Sequence, residues 1–389
     1  MIVQRRAVPA AMAVAALLLT AGCSSDGGGA AGGERSASPS RTAPPSSPPR
    51  QAAEETPPAK GSAEVVRTVA TGLRTPWGLA PLPGGGLLVS SRDDGTIVRI
   101  DEKTGKKTEL GEVPGVSPAG EGGLLGIALS PDYASDHMVY AYFTSASDNR
   151  VVRMLHDEDK PPGEQLGAPD TVFRGIPKGV IHNGGRIAFG PDRMLYVGTG
   201  ESGDTGLSQD KESTGGKILR LTPDGDPAPG NPFPDSPVLS YGHRNVQGLD
   251  WDAKQRLFAA EFGQDTWDEL NAIEPGGNYG WPRTEGRSGD EGLRDPVAQW
   301  STDEASPSGI AYAEGSVWMA GLRGQRLWRV PLDGTRASAE PQAFLEGEYG
   351  RLRSVAAAGG DRLWVTTSNT DGRGDPGEAD DRVLEVRVR

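Results

Sequence analysis

The sequence predicts an all-β protein, a six-bladed β-propeller of four-stranded antiparallel blades. Three observations carry that reading. One short phrase recurs six times at a spacing of roughly 45 to 60 residues, the length of a propeller blade. The 389 residues include 56 Gly and 32 Pro, a turn-rich composition. No copy of the phrase contains a long segment of 3.6-residue periodicity, which excludes an α-solenoid.

In chain order, Arg5 and Arg6 form a basic start, and the apolar run "AVPAAMAVAALLL" (7–19) is too short to span a bilayer as a helix. It ends in "LTAGC" (19–23), which resembles the bacterial lipoprotein signal, whose cysteine is lipidated and becomes N-terminal after cleavage. Residues 1–23 are therefore expected to be a signal peptide and lipobox. The mature protein is expected to be exported and lipid-anchored through Cys23 to the outer face of the cytoplasmic membrane. Cys23 is the only cysteine, so no intramolecular disulfide is possible. Residues 24–61 are Gly, Ala, Ser, Pro and Thr with scattered charge. Such a stretch buries too little apolar surface to offset chain entropy, and a disordered tether is expected. The propeller domain is expected over 62–389, enough chain for a large core.

The recurring phrase is a Gly (or Arg) with an apolar pair, then a turn, then an apolar strand. Its copies begin at Trp77, Leu125, Gly185, Gln247, Ser308 and Arg351. Basic-apolar third strands follow in "TIVRID", "GKILRLT" and "QRLWRVPL", and the last copy closes with "RVLEVRV". Short alternating strands of this kind are what four-stranded blades require.

The inner strands of a propeller end at a central channel, so polar residues at those ends converge from different blades. The net charge of −13 and the lack of a basic run in the folded part exclude a nucleic-acid partner. Yet Arg244, Arg323, Arg351 and Arg353 fall at or near blade starts. Arginines gathered on one channel need an anion, and a carboxylate suits the guanidinium fork. "EFGQDTWDELNAIEPGGNYGWP" (261–282) places Asp265, Asp268 and Glu269 beside a glycine-rich turn. That is either a site for a hard cation such as Ca²⁺ or an acidic loop capping a blade. His182, in "HNGG" at a blade mouth, is either a satisfied structural histidine or a proton acceptor near neutral pH. Gly184 and Gly185 would let a ligand approach, and Glu201, ending the next strand, could hold the ring. No zinc pattern, P-loop or nucleophile elbow is present.

The phrases "TPWGLAPLPGGGLLV", "GEGGLLGIALSPDY", "HNGGRIAFGPDRMLYVGTGE", "YGHRNVQGLDW", "DELNAIEPGGNYGWP" and "SPSGIAYAEG" together resemble the soluble quinoprotein glucose/sorbosone dehydrogenases, and within them the aldose sugar dehydrogenases. The likeness covers nearly all of residues 65–389, in order. It implies a propeller holding pyrroloquinoline quinone (PQQ) and Ca²⁺ in its channel. His182 matches the family's catalytic base, and Glu201 the acid paired with it. Arg244 and Asn245 match a pair at the quinone's reactive carbonyls. Arg351 and Arg353 match the residues that bind the PQQ carboxylates, and Arg323 a further basic position. The backbone carbonyls of Gly263 and Gln264 match the ligands of the PQQ-bound Ca²⁺. Glu269 and the Tyr279 carbonyl match a second, structural Ca²⁺ site. This chain departs from the family pattern at Ser90-Ser91-Arg92, where a Thr-Glu-Arg strand end is common, and at Gln264, where many members have Pro.

The resemblance thus implies PQQ-dependent oxidation of an aldose at C1 to the lactone, with His182 as base and Arg244 stabilising charge on the quinone oxygen. The partners are a small aldose and an electron acceptor whose kind the sequence leaves open. Two other readings are a non-catalytic sugar- or partner-binding propeller lipoprotein and a Ca²⁺-dependent lactonase-type hydrolase. The second needs carboxylates converging on a channel metal, whereas this channel reads as basic.

Overall fold

The computed structural model describes residues 56–389. The signal segment, Cys23 and residues 24–55 of the tether lie outside the described residues. Six antiparallel sheets follow one another in the chain, each built from its inner strand outward. The inner strands are Pro76–Pro81, Leu124–Leu129, Ile187–Phe189, Val246–Trp251, Pro307–Ala313 and Leu352–Gly359. Each lies on one copy of the recurring phrase. Five sheets have four strands. The fifth has one extra pairing, because Arg326–Asp333 pairs with both Arg336–Ala337 and Gln342–Phe344. The helix Tyr133–Asp136 and the 3₁₀ turn Thr205–Ser208 are the only helical elements among the described residues.

The sixth blade takes its outermost strand from the start of the domain. Ala63–Ala70 pairs antiparallel with Val383–Val388, from Ala63 opposite Val388 to Ala70 opposite Val383. Ser62 and Arg389 exchange both backbone hydrogen bonds at 3.0 Å, which closes the ring. The tether ends earlier than the sequence suggests. The Pro58 carbonyl accepts from Arg329 at 2.9 Å, and Gly61 N–H donates to Gln342 at 2.8 Å. Residues 58–61 thus belong to the folded body, because blade five supplies polar partners for their backbone groups.

The inner strands are covered on both faces, so they read as continuous apolar runs rather than alternating ones. Six apolar clusters fill the gaps between neighbouring blades, one per interface among the described residues. Leu124 and Leu125 are each at most 1% exposed, and burying one such side chain stabilises by about 1.5–3 kcal/mol. The glycine of the recurring phrase is explained here. A Cβ on Gly126 would lie 2.2 Å from the Gly185 carbonyl oxygen, and one on Gly248 would lie 2.4 Å from that of Ser308. Blades meet backbone to backbone at this position. Gly126→Ala would force two of them apart.

All six inner strands run in one direction, so their N-terminal ends share one mouth of the channel. The two chemistry-bearing phrases, "HNGG" and "YGHRNVQG", both lie at that mouth.

Candidate active site

A cavity of about 450 Å³ opens at the N-terminal ends of the inner strands. Five arginines line it: Arg92, Arg323, Arg351, Arg353 and Arg373. Only two carboxylates, Glu121 and Asp371, face them across the same space. Three of these seven charges, Arg323, Arg351 and Arg353, were expected from the sequence. Arg92, which ends the departing Ser90-Ser91-Arg92 strand, joins them.

Arg353 is 6% exposed. It donates to Gln247 Oε1 at 2.7 Å, stacks 5.6 Å from the Trp77 ring, and keeps a buried Nε with no partner. Burial, with Arg351, Arg92 and Arg186 nearby, pushes its pKa down to about 9 against the pull of Asp371. Arg351 donates through two nitrogens to Asp371 Oδ2, at 3.1 and 2.9 Å. Burial opposes ionisation of Asp371, but Arg353 and Arg351 hold its carboxyl below the usual value. The cavity thus keeps an excess of positive charge in a partly water-excluded space, where a bound anion is stabilised most.

His182 stands at the neighbouring blade start with φ 54°, in the left-handed region. Its N–H donates to Glu121 Oε2 at 2.9 Å and its carbonyl accepts from Ser202 at 3.1 Å, which hold it in that conformation. Arg373 pairs with the same Glu121 carboxylate at 2.9 Å. Burial opposes ionisation of Glu121, but the His182 N–H and Arg373 keep its carboxyl below the usual value. The Nδ1 atom of His182 makes a short hydrogen bond to Glu201 Oε1. Glu201 is 1% exposed, and its backbone N–H donates to the Arg244 carbonyl at 2.9 Å. With Nδ1 engaged, Nε2 is the nitrogen left to accept a proton. Gly184 has φ 62°, and a Cβ there would lie 2.5 Å from the backbone of Thr199, so no other residue fits the turn.

Behind Glu201 runs a loop from Asp204 to Gly216. Asp204 N–H donates to the Glu201 carbonyl at 2.9 Å. The loop is held by Lys217, whose fully buried ammonium donates to the carbonyls of Leu207, Ser208 and Gly215 at 2.6, 3.1 and 2.7 Å.

Arg244 and Asn245 come from the fourth blade. Asn245 Oδ1 accepts from Gly184 N–H at 2.9 Å and so braces the histidine turn. The Arg244 guanidinium lies 5.4 Å from the Trp281 ring, and its buried Nε has no partner. Burial lowers its pKa, opposed chiefly by the field of Glu201. Arg244 is not among the arginines that line the cavity; Arg92 and Arg373, from other blades, are.

The acidic loop divides. Asp265 and Gln264 are exposed and bonded to each other, while Asp268 and Glu269 are buried. Asp268 accepts from Gly263 N–H at 2.9 Å and Ser306 N–H at 2.6 Å, and burial pushes its pKa up to about 7. Gly263 and Gln264 directly follow Phe262, which lines the cavity. Glu269 accepts from Gly286 N–H at 2.6 Å and shares the Asn271 amide with Glu261, and burial pushes its carboxyl up. Tyr279 stacks on His243 with ring centres 4.6 Å apart, and His243 bonds Glu261, so Tyr279 and Glu269 belong to one buried network away from the cavity. Among the described residues no three His, Cys, Asp or Glu side chains gather as a metal set, so a cation here would rest largely on carbonyl oxygens.

Several residues of this site have no separate signal in the sequence. Glu121 lies inside "GEGGLLGIALSPDY", yet nothing there links it to His182, 61 residues away. Trp77, Asp371 and Arg373 become neighbours of the arginines only when the ring closes.

Known proteins of similar sequence and fold identify the family. The family model for glucose/sorbosone dehydrogenase matches residues 73–374. The PQQ-bound structure of the aldose sugar dehydrogenase of Streptomyces coelicolor is 82% identical, with a TM-score of 0.85 over 86% of this chain and 100% of that one. The aldose sugar dehydrogenase of Escherichia coli (strain K12) is 27% identical over 347 residues, 81% of this chain and 92% of its own. Quinoprotein glucose dehydrogenase B of Acinetobacter calcoaceticus is 27% identical over 284 residues, 64% of this chain and 59% of its own. The family match runs from the first blade to just past Asp371 and takes in both the arginine cavity and the His182–Glu201 couple, so the chain belongs to the glucose/sorbosone dehydrogenase family.

Proposed function

We propose that this chain is a PQQ- and Ca²⁺-dependent aldose dehydrogenase that oxidises its sugar at C1 to the lactone, with His182 as general base. The observation that carries this reading is a histidine–glutamate couple beside a cavity with more guanidinium than carboxylate. PQQ bears three carboxylates. Arg92 is answered by Asp93 at 2.6 Å, so the other four arginines against Glu121 and Asp371 leave an excess of two positive charges, and the Nε of Arg353 is buried without a protein partner. The donor set therefore fits the cofactor. Arg351, Arg353 and Arg323 would hold its carboxylates, with Arg244 and Asn245 at its reactive edge. The carbonyls of Gly263 and Gln264, next to cavity-lining Phe262, would hold the Ca²⁺, and Glu269 with the Tyr279 carbonyl a second, structural one. When bound, PQQ supplies the acceptor for the C1 hydride and Ca²⁺ the Lewis acid that polarises it.

The chain's own residues do the rest. His182 takes the proton of the anomeric hydroxyl at Nε2. Glu201, bonded at Nδ1, fixes the tautomer and stabilises the imidazolium that forms. Glu121 fixes the backbone that carries the ring. Arg244, with few polar partners of its own, stabilises negative charge developing at the reactive edge. Export and lipid anchoring through Cys23 would place this chemistry at the outer face of the cytoplasmic membrane. A lactonase-type reading is weaker, because both cavity carboxylates are already engaged by arginine.

The test is aldose-dependent dye reduction by metal-stripped protein. Turnover that requires both added Ca²⁺ and added PQQ, with lactone as product, supports the proposal. Failure to bind PQQ in the presence of Ca²⁺ overturns it.

A further inference from the structure

The recurring phrase has a second exception besides its catalytic ends. At the position where blades meet backbone to backbone, blades one, two, four and five carry Gly78, Gly126, Gly248 and Gly309, and blade six carries Ser354. Blade three carries Arg186. Its side chain crosses the channel. Nε donates to the Gln247 carbonyl on blade four at 2.7 Å, and Nη2 donates to Ser354 Oγ on blade six at 3.2 Å. The guanidinium lies 4.5 Å from the Trp77 ring on blade one. Trp77 and Gln247 line the arginine cavity, whereas Arg186 lines a second cavity of about 330 Å³ at the C-terminal ends of the inner strands. Arg186 and Trp77 therefore form the partition between the two ends of the channel.

Among the described residues no carboxylate pairs with Arg186, which is 8% exposed, and its partners are a carbonyl, a hydroxyl and an indole. A buried ion is costly unless something negative answers it. Arg353 also lies 5.6 Å from the same indole and keeps a buried Nε without a partner, while its Nη2 reaches Asp371 Oδ2 at 3.6 Å. Two guanidiniums thus lie against Trp77, Arg353 in the wall of the positively charged cavity and Arg186 beneath it. A plug alone would need no charge, since an apolar side chain of similar length would close the channel.

Resting on the cofactor reading above, we propose that Arg186 is a positioning residue for the anionic cofactor: a guanidinium held one layer beneath the cavity that acts through Trp77 to keep the channel positive. It strengthens binding of the cofactor's carboxylates and favours its reduced, more negative form. Arg186 does not touch the reacting atoms.

The test compares the wild-type protein with R186Q, R186K and S354A, each stripped of metal, resupplied with Ca²⁺ and titrated with PQQ. Cofactor binding, the midpoint potential of bound PQQ and the unfolding temperature are measured for each. R186Q is expected to bind PQQ about tenfold more weakly or worse, with about 1.4 kcal/mol lost per decade, and to show a lower midpoint potential. R186K and S354A keep the charge while disturbing hydrogen bonds of the partition, S354A removing the Arg186 Nη2 bond and the 2.6 Å bond from Ser354 Oγ to the Trp77 carbonyl, and both are expected to stay near wild type in affinity even where they unfold earlier. Wild-type affinity and potential in R186Q overturn the inference and leave the proposed function standing. Equal losses in R186Q and S354A, in step with unfolding temperature, also overturn it, because the role is then only structural. Should R186Q not fold, R186K decides: retained affinity supports the charge, and lost affinity overturns it. Wild-type protein that binds no PQQ overturns the proposed function and this inference together.

Discussion

His182 and His243 have been given the same equipment and opposite fates. Each precedes the inner strand of its blade, and each is bonded through Nδ1 to a glutamate at or just past the end of the next strand, Glu201 or Glu261. For His243 the other nitrogen is also taken. Ser240 Oγ meets its Nε2 at 2.8 Å, Tyr279 stacks on its face, and the residue is 0% exposed. For His182 the other nitrogen is free, and the side chain is 12% exposed beside the arginine cavity. An imidazole paired with a carboxylate is therefore no mark of catalysis by itself. What sets the proposed base apart is a second nitrogen left without a protein partner beside a charged cavity.

The comparison can be broken by experiment. His182→Ala should lower kcat by about 10³-fold while leaving PQQ binding intact, as loss of a general base predicts; full turnover would remove His182 from its role. Glu201→Gln should lower kcat by at least about 10²-fold, because the amide can fix the wrong tautomer. An equal loss in Glu261→Gln would erase the distinction between the two couples. His243→Phe keeps the stacking on Tyr279 but removes the ring nitrogens that Glu261 and Ser240 bond, leaving Glu261 to Asn271 and the Arg244 N–H. Calorimetry should show about 1–3 kcal/mol of lost stability with kcat close to wild type. Glu121→Ala should lower kcat about tenfold by freeing the backbone of His182, and Glu121→Gln, which keeps an acceptor oxygen, should recover most of it.

The smallest effect sharpens the comparison from the side of a carboxylate with neither imidazole nor guanidinium beside it. Asp250 stands at the other end of the channel, where five blades carry Ala. It accepts from Tyr312 N–H at 2.6 Å, and removal from water pushes its pKa up to about 6 from 3.8. Between those values the folded protein holds a proton that the unfolded chain has released. Stability should therefore fall as pH rises from about 4 to about 6 and then level off. Asp250→Asn should flatten that slope in thermal melts, and an unchanged slope would show that Asp250 titrates normally.

The ring was legible in the sequence because its inner strands repeat one demand. A glycine where backbones touch and an apolar pair beside it recur in "WGLA", "LGIA" and "SGIA". Outer strands such as Asp170–Ile176 and Gln342–Phe344 are half-exposed and carry no such demand, so they gave little sign of themselves. The same holds for Ala63–Ala70, whose partner lies more than 300 residues on and is set only by closure. In the site, His182 and Glu201 were legible because a turn of paired glycines isolates the one and a strand end the other. Glu121, Asp371 and Arg186 were not. Their work is done on residues brought in from other blades, and no local spacing records that meeting.

Lys217 carries one more consequence. Its ammonium sits among three carbonyl oxygens, the kind of nest a small cation fills elsewhere. Here the ion is attached to the chain, so its occupancy does not depend on supply. A chelator has nothing to extract from it. A Ca²⁺ site of the kind proposed at the carbonyls of Gly263 and Gln264 would empty under a chelator, yet the wall behind Glu201 would stand.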